Sequence, residues 1–64
     1  MIQLTRLNGE KIIINVDLIE IMEETPDTVV TLTTGKKYVV KERAQEIIQE
    51  VVRFKKRTSL NLKR

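Results

Sequence analysis

The sequence predicts an α+β fold, a small antiparallel β-sheet of two hairpins plus a linking strand, about five strands in all, packed against one C-terminal helix. Three observations carry this expectation. Apolar residues alternate with polar ones on both sides of Asn8-Gly9, they do so again on both sides of Thr34-Gly35, and from Glu42 onward the apolar period lengthens to that of a helix.

The first hairpin is expected within residues 1–15. Ile2 and Leu4 precede the turn and Ile12 and Ile14 follow it. A loop of Leu7, Asn8 and Gly9 sets Leu4 against Ile12 and Ile2 against Ile14, so four aliphatic side chains share one face. A two-residue Asn-Gly turn would shift the register and split that face, which favours the bulged loop. Asn15-Val16-Asp17-Leu18 then breaks the alternation. Asn15 and Asp17 bond readily to nearby backbone, and a short 3₁₀ turn is expected there. Ile19-Glu20-Ile21-Met22-Glu23 resumes an alternation of apolar and acidic residues, the pattern of a half-buried linking strand. Thr25-Pro26-Asp27-Thr28 turns the chain again, with Pro26 suited to the second turn position.

Residues 28–42, TVVTLTTGKKYVVKE, form the central hairpin. Val30 and Leu32 before the turn, with Tyr38 and Val40 after it, fall on one side. A loop of Thr33, Thr34 and Gly35 pairs Val30 with Tyr38 and Thr28 with Val40. Gly35, like Gly9, is expected at positive φ, where a type I turn closes with a one-residue bulge and only glycine avoids a Cβ penalty. From Glu42 a helix is expected, because Ala44, Ile47, Ile48, Val51 and Val52 recur at i, i+3, i+4, i+7 and i+8. Glu42 and Glu46 lie near its positive end and Arg53, Lys55, Lys56 and Arg57 near its negative end, the favourable placement at both. The expected boundaries are one α+β domain over residues 1–57 and a basic, disordered tail over residues 58–64.

Composition narrows function mainly by exclusion. A chain of 64 residues makes one domain, and a domain of that size buries only about 60% of its unfolded surface. Self-association is expected to supply the missing burial, and the aliphatic residues facing away from the core, Leu7, Ile13, Val29 and Val39, are its candidate surface. The absence of cysteine and histidine removes disulfides, thiol nucleophiles, imidazole bases and the usual zinc ligands. Gly9 and Gly35 are single turn glycines, so no phosphate-binding loop exists. Glu20, Glu23 and Glu24 could form an acidic metal or catalytic cluster, but charged residues are the ordinary exterior of a strand and no other ligand type accompanies them. No catalytic residue, cofactor or metal is therefore expected. No apolar run reaches the roughly 18 to 20 residues of a membrane-spanning helix, and no signal-peptide core opens the chain, which points to a cytoplasmic protein.

Charge is distributed unevenly. Residues 1–52 hold six Lys or Arg and nine Asp or Glu, whereas residues 53–64 hold six Lys or Arg and no acid. Arg53, Lys55, Lys56 and Arg57 could contact nucleic acid or an anionic membrane surface through this end, or they could be a solvated terminus. The acidic body and the presence of only two aromatics, Tyr38 and Phe54, make nucleic acid the weaker option.

Ile2-Gln3-Leu4-Thr5-Arg6-Leu7-Asn8-Gly9, Ile14-Asn15 with Asp17-Leu18-Ile19-Glu20, Thr25-Pro26-Asp27-Thr28, and Leu32-Thr33 with Gly35-Lys36-Lys37-Tyr38-Val39-Val40-Lys41-Glu42 occur in this order and spacing. Together they resemble the FlbD family of small flagellar proteins. Thr5, Arg6, Asn8, Gly9, Asn15, Asp17, Pro26, Asp27 and Gly35 are the turn and motif positions within that resemblance. Ile12, where many members carry a larger side chain, and the helix start Arg43-Ala44-Gln45 depart from the pattern. The resemblance implies a cytoplasmic, non-enzymatic accessory protein of bacterial flagellar motility. Such a protein would be an interaction module supporting motor power or swarming, with a motor or stator component as partner. The alternative is a small protein that binds nucleic acid or an anionic membrane through its basic C-terminus.

Overall fold

The computed structural model describes residues 1–62, with side chains described through Arg57. Five strands, β1 (Ile2–Thr5), β2 (Lys11–Ile14), β3 (Ile19–Glu24), β4 (Thr28–Leu32) and β5 (Lys37–Val40), are followed by one helix, α1 (Ala44–Leu62). The architecture is α+β. The strands group as a two-stranded sheet, β1-β2, and a three-stranded sheet in the order β3-β4-β5.

Both hairpins close through the bulged loops their sequences predict. In the first, Ile2 pairs with Ile14 and Leu4 with Ile12; the Gly9 N–H donates to the Arg6 carbonyl and the Arg6 N–H to the Glu10 carbonyl, each at 2.8 Å. In the second, Val30 pairs with Tyr38 and Thr28 with Val40, and the Leu32 N–H reaches the Lys36 carbonyl at 2.8 Å. Gly9 and Gly35 sit at φ +94° and +95°. Between the hairpins, Val16–Leu18 forms the expected 3₁₀ turn, capped by the Asn15 side chain, which accepts from the Asp17 N–H at 3.0 Å. The Thr25–Pro26 peptide bond, in the turn before β4, is cis.

The core lies between the sheets and α1. Ile2, Leu4, Ile14, Val16, Val30, Leu32, Val40 and Ile47 are buried, with Ile12, Ile19, Met22, Tyr38, Val51 and Phe54 packed at its margin. Each fully buried aliphatic side chain contributes roughly 1.5 to 3 kcal/mol.

Three features depart from the sequence expectation. First, Ile21 does not share the core-facing side of β3 with Ile19. Ile19 pairs with Leu32 but Ile21 with Thr31, so β3 carries one extra residue at Glu20. This bulge reverses the facing of the residues after it, sending Met22 inward and Ile21 outward. Second, Ile48 and Val52 belong to the apolar stripe but are about half exposed, at 50% and 53%. The helix turns Ile47, Val51 and Phe54 toward the core instead, with Ala44 half-buried. Third, the helix begins at Ala44 rather than Glu42, because acceptors meet its first N–H groups there. The Glu46 carboxylate reaches back to the Arg43 N–H at 2.8 Å, half of a capping box. The Glu24 carboxylate, at the end of β3, accepts from the Ala44 N–H at 3.2 Å and pairs with Arg43 at 3.1 Å. The helical backbone also continues past Arg57 to Leu62. The expected tail falls on residues 58–64, whose side chains lie outside the described residues.

Candidate interaction surface

Two of the motif positions, Thr5 and Arg6, lie on a seam where the ends of β1 and β5 and the entry to α1 meet. Arg6 and Val40 form an isolated antiparallel bridge. On either side of it the Lys41 N–H donates to the Thr5 carbonyl at 2.8 Å and the Leu7 N–H to the Val39 carbonyl at 3.3 Å. The Thr5 N–H donates to the Glu42 carboxylate at 2.9 Å. The Arg6 guanidinium stands 5.7 Å above the centre of the Tyr38 ring, within cation–π range, and also meets Glu10 at 3.4 Å. Partial burial pushes the Glu42 carboxyl upward, but hydrogen bonds from Thr5, the Glu42 N–H and the Lys11 charge outweigh it and hold the group below its ordinary value.

The remaining motif residues shape turns. Asn8 accepts from the Glu10 N–H at 2.9 Å, Asn15 caps the 3₁₀ turn, and Asp17 meets Lys55 at 3.4 Å. Pro26 and Asp27 are exposed in the β3–β4 turn. Thr5, Arg6, Asn8, Gly9, Asn15, Asp17 and Gly35 thus fix backbone geometry.

The seam brings Leu7 beside Val39. Val39 pairs in turn with Val29, and Val29 with Glu23, across the outer face of the three-stranded sheet. Leu7, Val39 and Ile21 are exposed on this face, and Val29 is half-buried. The structure therefore joins three of the four residues predicted for interaction, Leu7, Val29 and Val39. Ile13 stands apart, opposite Gln3 on the outer face of the two-stranded sheet. Ile21 is the member the sequence did not reveal. Its one signal is the adjacency of Ile21 and Met22, since two successive apolar residues in a strand must face opposite sides.

The predicted basic group shares one face of α1 except for Lys55. At about 100° per residue, Arg53, Lys56 and Arg57 fall within one arc of about 100°, and Lys55 lies well away from it. Arg53 pairs with Glu50 at 3.0 Å and Lys55 with Asp17. A polar cleft of about 450 Å³ beside the helix is lined by Gln3, Leu4, Glu42, Glu46, Ile47, Gln49 and Glu50. Among the described residues no group of three or more His, Cys, Asp or Glu is placed to hold a metal ion. No described helix is long and apolar enough to cross a membrane.

Comparison with known proteins adds one result. Residues 1–59 match the family FlbD, described as flagellar and swarming motility proteins. No curated protein and no solved structure matches the chain. The match spans both hairpins, the seam between them and most of α1, and by it the chain belongs to the FlbD family of flagellar and swarming motility proteins.

Proposed function

We propose that the protein is a non-enzymatic interaction module of the flagellar motility machinery, acting in the cytoplasm and supporting motor power or swarming by contact with a motor or stator component. One observation carries this reading. Thr5, Arg6 and Leu7 bond to residues 39–42 and hold the two hairpins in a fixed arrangement, and the product of that arrangement is an open apolar strip of Leu7, Val39, Val29 and Ile21. Adjacent apolar side chains left in water on one sheet face support a contact surface. The reading through the basic helix end is weaker, because Arg53 and Lys55 are already paired within the chain.

The test is a motility assay in the host strain. Val39→Glu, at a position already exposed, leaves the fold and protein level unchanged and reduces swarm expansion severely. Normal swarming by a strain producing Val39→Glu at wild-type level would remove the outer sheet face from the mechanism.

A further inference from the structure

The geometry points to a second copy of this chain as an occupant of the outer sheet face, packed across a two-fold axis that runs diagonally from Ile21 to Val39. This deepens the interaction-module reading and rests on it. The cross-strand register places six side chains of this face in two rows. Ile21, Thr31 and Lys37 form one row across β3, β4 and β5, and Glu23, Val29 and Val39 form the other. Two opposite corners are apolar, Ile21 and Val39, and the other two carry opposite charges, Glu23 and Lys37. Neither charge has an ion-pair partner within the described residues.

That pattern is self-complementary under one operation. A two-fold rotation about an axis in the plane of a face acts on it as a reflection across that axis. Reflection across the Ile21–Val39 diagonal leaves those two residues facing their own copies, and Leu7, which continues the Val29–Val39 row, lies about 3 Å to one side of the axis. It carries Glu23 toward Lys37 of the second copy, and Lys37 toward Glu23. With strands about 4.8 Å apart and alternate residues about 6.8 Å apart along a strand, the two charged positions come within about 4 Å laterally. The same spacings set the strands of the two copies at roughly 70° to each other, close to the orthogonal class of sheet packing. Axes along the strands or straight across them set Glu23 against Val39 or Ile21 and leave the charges unpaired. Charge complementarity thus selects both the occupant and the orientation.

The apolar strip is small beside the roughly 800 Å² per partner that a stable interface buries. The pairing is accordingly weak, with dissociation in the micromolar to millimolar range, and it loosens as salt screens the two ion pairs.

Sedimentation of the full chain over that concentration range tests the proposal by charge exchange. Glu23→Lys and Lys37→Glu each raise the dissociation constant about tenfold, since each sets like charges together twice across the axis. The double variant Glu23→Lys with Lys37→Glu restores the wild-type value within about twofold, and Lys36→Glu, in the turn outside the face, changes it by no more than that. Thermal melts by circular dichroism check that each variant is folded. A wild-type monomer at millimolar concentration, single variants that dimerise normally, or a double variant that fails to recover would each overturn the pairing. If the chain stays monomeric while Val39→Glu still abolishes swarming, a different protein occupies the face and the module reading stands. Intact charge-exchange behaviour with normal swarming of Val39→Glu removes the module reading and leaves the pairing.

Discussion

Gly35 shows how little a single residue needs to touch in order to matter. A Cβ added there meets nothing within 4 Å, so the cost of a side chain is conformational and not steric. Gly35→Ala is expected to lower stability by about 1 kcal/mol, read as a shifted urea midpoint with unchanged slope. Glu42 works through charge. Because its folded pKa lies below its unfolded one, its contribution is complete above the unfolded value and is lost as pH falls through the folded value. The stability gap between wild type and Glu42→Gln is therefore full at neutral pH and closes in acid, which urea titrations at a series of pH values will show. A gap that widens in acid would mean that folding raises the Glu42 pKa instead of lowering it.

At the scale of elements, α1 contrasts two neighbouring isoleucines. Ile47 is fully buried and Ile48 is half exposed, so Ile47→Ala should cost about 2 to 5 kcal/mol while Ile48→Ala costs well under half as much. Comparable losses from both would mean that the stripe is covered on both flanks. The stripe itself was legible in the sequence, since periodicity reports which side of a helix is apolar. How far the stripe is covered depends on the size of the opposing sheets, which periodicity does not report. The hairpins were legible down to loop length, because a one-residue error would have moved every aliphatic side chain across the sheet. Ile21 was not, because the bulge at Glu20 is a tertiary adjustment that lets both Ile19 and Met22 reach the core. The helix cap was hidden for a similar reason: Glu24, which meets the Ala44 N–H, lies 20 residues upstream. The apolar strip inherits this division, three of its residues being visible as outward aliphatics and the fourth depending on the bulge.

The whole molecule is two locally built blocks and a helix, joined along the seam between β1 and β5. Family membership places the chain among flagellar and swarming motility proteins, and the turns and the seam together account for what most of the motif residues do. It also has a consequence for kinetics. Each hairpin closes a loop of a few residues, and such closures take microseconds. The Thr5–Glu42 contact joins residues 37 apart, and loop-closure entropy grows with that separation. Folding should therefore wait on the seam, with the hairpins forming and dissolving many times before it zips. Stopped-flow measurements on Val40→Ala would then show slower folding, whereas Gly35→Ala, which disturbs only a turn, would act mainly on unfolding. The contacts that assemble Leu7 beside Val39 are thus expected to form after both hairpins, so a newly made molecule presents its contact surface only once the two blocks have joined.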